Sequence, residues 1–272
     1  MYETAMDRPA KAPRASLPLT RARRVALALG VPLCLVLIAS TGFNLVADLG
    51  RGTVPVSYRF PAGAGRVAVS LNGGDILLRQ VSGDQGALTG TGTYSLVRPR
   101  VTERFNGGVA SFDYGCRIPF GDCGLNATVG VPASTPVSVS TDGGNVTADG
   151  ITGPVSLSTS GGDVTANGVT GNLTIHTDGG NIQANGVTAT QVSAGTSGGD
   201  ITIVFTRVPQ NVRVNTDGGN ITIVVPAGST HYEVTAHTDG GNTSVTVPVN
   251  TSSRNVITAT TSGGDITIRE AT

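Results

Sequence analysis

Tryptophan is absent from this 272-residue chain, lysine occurs once, at Lys11, and aromatic residues make up only 4% of the sequence. So few rings argue against a polysaccharide-cleaving β-helix, which needs paired carboxylates beside aromatic platforms. Charged residues are also scarce, at 13%, and balance at 18 basic to 18 acidic. Six of the bases (Arg8, Lys11, Arg14, Arg21, Arg23 and Arg24) precede residue 25, and the remainder of the chain is mildly acidic. That excludes a nucleic-acid footprint, which needs a basic surface. Neither G-x-G-x-x-G nor G-K-[ST] before a helix occurs, so a phosphate cradle is excluded as well. With three cysteines and three histidines in all, the chain has few soft metal ligands. Cys34 lies in an apolar run as Val-Pro-Leu-Cys, a poor lipidation signal. Cys116 and Cys123 have no His or third Cys nearby to complete a metal site.

What the chain has in abundance is glycine, 39 residues of it, arranged in one recurring phrase. A threonine, Asp or Ser, two glycines and Asn or Asp recur at Thr141–Asn145, Thr159–Asp163, Thr177–Asn181, Thr196–Asp200, Thr216–Asn220, Thr238–Asn242 and Thr261–Asp265. The glycine pairs are Gly143 and Gly144, Gly161 and Gly162, Gly179 and Gly180, Gly198 and Gly199, Gly218 and Gly219, Gly240 and Gly241, and Gly263 and Gly264. Successive phrases lie 18, 18, 19, 20, 22 and 23 residues apart. A unit that short cannot bury an apolar face alone, so it must stack on its neighbours.

Within a unit the parity is that of β-strands. Val137, Val139 and Thr141 share one face, the glycines turn the chain, and Val146 and Ala148 resume the apolar side. A second turn at Asp149-Gly150 leads into the next unit. Each coil therefore has two strands of about five residues and two turns. The sequence predicts an all-β protein, a parallel β-solenoid, with an antiparallel meander or sandwich as the alternative. The solenoid is favoured because residues match position by position across the period, and a meander has no need of threonine at the same place in seven units.

The charges agree with stacking. The turns run DGGN, SGGD, DGGN, SGGD, DGGN, DGGN, SGGD, each with one carboxylate. Alternating sides moves same-column carboxylates from about 4.8 to about 9.6 Å apart, which halves a repulsion of roughly 0.9 kcal/mol in water. Only Asp217 and Asp239 break the alternation.

Residues 1–24 read as a basic cytoplasmic tail. Residues 25–47 carry no charge and as a helix would span about 34 Å, enough for a single membrane crossing. The arginines before it place the N-terminus inside and the repeats outside. The alternative is a signal peptide removed on secretion. Residues 48–135 read as the irregular N-terminal part of the solenoid, with one clear copy of the phrase at Ser70–Asp75 and aromatic residues at Tyr94, Phe105, Phe112, Tyr114 and Phe120. Residues 136–272 are the regular repeats. Outside the membrane, Cys116 and Cys123 are expected to form a disulfide closing a small loop.

The recurring [ST]-[DS]-G-G-[DN]-[VI]-x-[AI] phrase resembles that of bacterial proteins, common in actinobacteria, that carry a domain of unknown function labelled "putative adhesin". Second turns such as Gly150-Ile-Thr-Gly153 and Gly168-Val-Thr-Gly171, and the Cys116 to Cys123 segment, carry the same resemblance, which covers residues 55–272. It implies a surface-exposed solenoid-like domain and transfers no catalytic residue.

Ligand chemistry is sparse. Calcium-binding β-rolls use G-G-x-G-x-D, whereas here Gly-Gly precedes Asn or Asp and then an apolar residue, with the carboxylates staggered. His176 and His237 fall on equivalent outward positions three phrases apart, about 14 Å at one strand spacing per coil, too far to share a metal. A Ser- and Thr-rich face suits ice, but the phrase threonines point inward. The expectation is a non-enzymatic domain without cofactor or metal, anchored in the plasma membrane and engaging a cell-wall polymer or surface protein. The competing class is an envelope structural or signalling accessory that docks a membrane protein.

Overall fold

The computed structural model describes residues 50–61, 63–117 and 123–272, together with Gly30. The chain divides into two compact units, Met1–Val46 and Ala47–Thr272. The run from residue 25 to 47 lies outside the described residues except for Gly30. Among the described residues, no helix is long and apolar enough to cross a membrane, and every strand belongs to the second unit.

The regular array is built of coils with one strand in each of two facing sheets. The strands are β8 (Val137–Thr141) and β9 (Val146–Asp149), β10 (Val155–Thr159) and β11 (Val164–Asn167), β12 (Leu173–Thr177) and β13 (Ile182–Val187). They continue with β14 (Gln191–Thr196) and β15 (Ile201–Phe205), β16 (Asn211–Thr216) and β17 (Ile221–Val225). The last coils are β18 (Glu233–Thr238) with β19 (Thr243–Val245), and β20 (Val256–Thr261) with β21 (Ile266–Glu270). Every strand pair between these coils is parallel, Val137 pairing with Val155, Val155 with Leu173 and Leu173 with Val192. The register is kept throughout except for one shift between Ala184 and Val187, where β13 meets β15. The parallel solenoid is therefore the architecture of the repeats, because identical coils can bury the same columns only in register.

Between the sheets the columns Val137, Val155, Leu173, Val192 and Val146, Val164, Ile182, Ile201 are buried, and the alternate residues face outward. At the second corner Gly150, Gly168 and Gly186 adopt φ of +64, +61 and +63°, the left-handed bend that glycine takes without strain.

The N-terminal part joins the same stack. Here β2 (Arg66–Leu71) with β3 (Ile76–Gln80) and β6 (Val109–Gly115) with β7 (Cys123–Val131) form two further coils. Three strands depart from the solenoid pattern: β1 (Arg51–Arg59), β4 (Ala87–Ser95) and β5 (Arg100–Asn106). They pair antiparallel, β1 with β4, β4 with β7 and β5 with β6. These antiparallel strands cover the end of the stack. Phe60, Phe112 and Tyr114 fill the core beneath them, with the Tyr58 ring 5.6 Å from Phe60 and 5.9 Å from Phe112.

The coils do not stack in chain order. One sheet runs β1-β4-β7-β3-β9-β11-β13-β15-β17-β21-β19 and the other β18-β20-β16-β14-β12-β10-β8-β2-β6-β5. The coil closest to the C-terminus, β20–β21, sits between β16–β17 and β18–β19. At the other end the first coil, β2–β3, sits between β8–β9 and β6–β7. Each terminal coil is thus an inner rung, and the coil adjoining it in sequence lies outside it.

Candidate functional site

The stacking order corrects the sequence reading of the turns. In space the phrases run DGGN at Asp142, SGGD at Ser160, DGGN at Asp178, SGGD at Ser197, DGGN at Asp217, SGGD at Ser262 and DGGN at Asp239. Asp217 and Asp239 are not neighbours, because Ser262 lies between them, and the alternation is unbroken.

The fifth and last phrase position forms a column of nine residues: Asn126, Asp75, Asn145, Asp163, Asn181, Asp200, Asn220, Asp265 and Asn242. From the second rung on, each backbone N–H donates to the side-chain Oδ1 of the residue one rung before. Asp75 donates to Asn126 at 2.9 Å, Asn145 to Asp75 at 2.8 Å, Asp163 to Asn145 at 2.9 Å and Asn181 to Asp163 at 2.7 Å. The series continues through Asp200, Asn220, Asp265 and Asn242 at 2.7–2.9 Å. Asparagine amides also donate to the carboxylates, as from Asn220 Nδ2 to Asp200 Oδ1 at 3.2 Å. An all-Asp column would place like charges on every rung; an alternating one keeps the acceptor and halves the charge.

Behind that column runs a second, buried one. The Thr177 hydroxyl donates to the Gly162 carbonyl of the preceding rung at 2.9 Å and accepts the N–H of Gly180 at 3.2 Å. Thr159, Thr196, Thr216, Thr261 and Thr238 repeat the donation to Gly144, Gly180, Gly199, Gly219 and Gly264. The phrase threonine is inward and fully committed to backbone.

The two glycines of a pair have different roles. A Cβ on the second, Gly144, Gly162, Gly180, Gly199, Gly219, Gly241 or Gly264, would overlap the backbone of a stacked rung. At the first, Gly143 has nothing within 4 Å, and Gly161, Gly179, Gly198 and Gly218 meet nothing closer than 3.6 Å, while Gly240 and Gly263 are somewhat tighter. These are structural corners with their polar groups turned to one another.

Cys116 and Cys123 are joined as a disulfide, with Cα atoms 6.1 Å apart. The histidines lie further apart than chain order implies: the register passes from His176 through Gly195, Asn215 and Thr260 to His237. Four rung spacings make about 19 Å. Each imidazole Nε2 lies 3.1 Å from a neighbouring carboxylate, Asp178 or Asp239, on the exposed surface. Among the described residues, no group of three His, Cys, Asp or Glu side chains is placed to hold a metal.

The sequence points to an outward polar face of Ser, Thr, Asn and Asp but does not single out one column of it. Thr147, Thr165, Gln183, Thr202, Thr222, Thr267 and Ser244 are in register on the outer face of the eleven-stranded sheet. Its signal was the residue after the post-turn valine or isoleucine, present in every one of these rungs but the last, where Ser244 follows Thr243. Beside it, Asn167 Nδ2 donates to Asp149 Oδ1 at 2.9 Å, and Thr188 Oγ1 to Thr170 Oγ1 at 3.1 Å. Depressions on the surface are open and shallow, about 510 Å³ beside Asp75, Asn126 and Asn145 and about 300 Å³ beside Arg100, Asp113 and Arg117.

Two parallel sheets, tied along one edge by an alternating Asn/Asp ladder and covered at one end by antiparallel strands, define a capped parallel β-solenoid. Residues 67–269 match the model of the family described as Toastrack DUF4097, and the chain belongs to that family. A search of curated proteins finds no match. Among solved structures, the chain is similar to a "putative cell adhesion protein" from Clostridium sporogenes ATCC 15579, at 11% identity and a TM-score of 0.34, covering 80% of this chain and 100% of that one. It is also similar to a "putative adhesin" from Bacteroides fragilis NCTC 9343, at 15% identity and a TM-score of 0.37, covering 81% and 97%.

Proposed function

We propose that this protein is an adhesin-like surface array, held at the plasma membrane by residues 25–47, that binds a cell-wall polymer or surface protein along its outward hydroxyl column without catalysing a reaction. The observation that carries the reading is the register of Thr147, Thr165, Gln183, Thr202, Thr222 and Thr267 on one outer sheet face. A polar column rising about 4.8 Å per rung, with a hydroxyl on each rung from Thr147 to Thr267 except at Gln183, suits an extended polymer better than a compact small molecule, because each rung adds one weak contact. The buried threonines are committed to backbone and the ladder Oδ1 atoms to the N–H of the next rung, so the sheet faces are the surfaces assigned to recognition in this reading.

The test is retention of the full chain on purified cell wall against retention on detergent-solubilised membrane proteins. Binding to wall that falls several-fold when Thr165, Thr202 and Thr222 are replaced by alanine supports the reading. Enrichment with membrane proteins alone overturns it in favour of an envelope accessory.

A further inference from the structure

The unit has two unlike ends. Residues 50–117 contain eight arginines against four acidic residues, whereas residues 123–272 contain four arginines against ten. Among the described residues six large apolar side chains are exposed, and four of them, Leu96, Val97, Val101 and Phe105, fall within ten residues of one another. The same segment holds Arg98, Arg100 and Arg104, all exposed, against the single acid Glu103. None of these three guanidiniums has an ion-pair partner among the described residues.

The position of this segment is set by the topology. Strand β5 is the edge strand of the ten-stranded sheet, at the same end of the stack as β1, the edge strand of the eleven-stranded one. Val101, Glu103 and Phe105 lie opposite Tyr114, Phe112 and Ala110, which are buried. Val101 and Phe105, with Glu103 between them, therefore continue the core face by one strand beyond the last strand that covers it, and Arg100 and Arg104 lie on the opposite face of the same edge strand. The segment is also close along the chain to the uncharged run. The Leu96 N–H donates to the Gly50 carbonyl at 3.0 Å, and Gly50 is three residues from Ala47, where that run ends. Three extended residues reach about 10 Å.

We propose that the segment Leu96–Asn106 is a membrane-surface contact, with Leu96, Val97 and Phe105 entering the interface of an anionic bilayer and Arg98, Arg100 and Arg104 engaging lipid phosphates. Apolar side chains next to long cationic ones are what an interfacial segment requires, since the rings and aliphatic groups sit below the headgroups and the guanidiniums stay level with them. The far end of the stack has its own exposed apolar residues, Val245 and Val249, but Glu233, Asp239 and Asp265 surround that coil and repel an anionic surface. The contact rests on the anchored reading only for bringing the bilayer within reach of Gly50. It orients the array with its basic end on the lipid and its acidic repeats pointing away.

Because the chain has no tryptophan, Phe105→Trp and Val245→Trp each give a single fluorescent reporter. The full chain is reconstituted in vesicles of brominated phosphatidylcholine, with or without phosphatidylglycerol. The reporter at position 105 is expected to lose emission about two-fold in the anionic vesicles and that at 245 to be unchanged. Replacing Arg98, Arg100 and Arg104 by glutamine should weaken the preference for anionic vesicles about five-fold per arginine. A reporter at 105 that is no more quenched than one at 245 overturns the contact. Alkaline extraction of the same vesicles reports the anchor separately: a chain that is extracted, yet quenched at 105 when added to anionic vesicles, keeps the contact and loses the anchor.

Discussion

At the scale of single residues, the glycine pairs show how one motif holds two tolerances. Gly179 and Gly180 are adjacent, yet a Cβ at Gly179 meets nothing closer than the Ser160 carbonyl at 3.7 Å, while one at Gly180 overlaps the Gly162 carbonyl. Gly180→Ala is expected to lower the unfolding free energy by about 3 kcal/mol or more, and Gly179→Ala by less than about 1, in urea denaturation followed by circular dichroism. The Thr177 hydroxyl stands between two backbone groups. Thr177→Val, nearly isosteric, strands both and should cost about 2–3 kcal/mol, whereas Thr177→Ser should recover most of it. Tyr232 presents the opposite case. Its ring is wholly buried and its hydroxyl has no hydrogen-bond partner, and burial, with Glu270 adding to it, raises the phenol above its ordinary value of 10.0. A phenol raised in the folded state binds its proton more tightly there than in the unfolded chain. Stability is therefore unaffected well below pH 10 and falls as the pH rises past it. Tyr232→Phe should leave stability at pH 7 unchanged or slightly higher and should flatten the alkaline part of the stability profile.

At the scale of coils, the strands and their faces were legible because the pattern is strictly periodic. Val137, Val139 and Thr141 declare an inward face, and the glycine pair declares the corner. The order of the coils was not legible in the same way. Sequence position alone puts Thr238–Asn242 before Thr261–Asp265, while the structure reverses them. Yet the signal was present: Asp217 followed by Asp239 looked like a flaw in the alternation, and inserting Ser262 between them removes it. The antiparallel strands β1, β4 and β5 left no such mark, because Ala87–Ser95 and Arg100–Asn106 carry neither the phrase nor its spacing. Charge alternation gives the coil order an energetic preference that can be measured. Exchanging the two turns by Asp239→Ser, Asn242→Asp, Ser262→Asp and Asp265→Asn sets an aspartate beside Asp217 in the observed order. The expected result is a loss of about 1–2 kcal/mol at low ionic strength, recovered in part at about 1 M salt, where charges a rung apart are screened.

For the molecule as a whole, the two sheets of eleven and ten strands make a stack about 50 Å long at one strand spacing per rung. Stability in such arrays is a sum over neighbouring interfaces, and the ends are ordinarily where unravelling begins. Here the sequence-terminal coil is not at an end. Removing residues 256–272 takes out an inner rung and leaves β18–β19 facing β16–β17 across a gap of two spacings. That truncation is expected to expose the repeats as far as β16 to limited proteolysis, a larger effect than the loss of an end coil. The same arrangement has a mechanical consequence. A load applied at the C-terminus bears on β20 and β21, which are hydrogen-bonded to strands on both sides. The chain cannot be peeled away one ladder at a time from a free edge; two ladders in each sheet must give way together. Under tension the array should hold and then rupture at a single high-force event. Single-molecule pulling from residue 272 would register this, in contrast to the staircase of small steps that a stack wound in chain order would give.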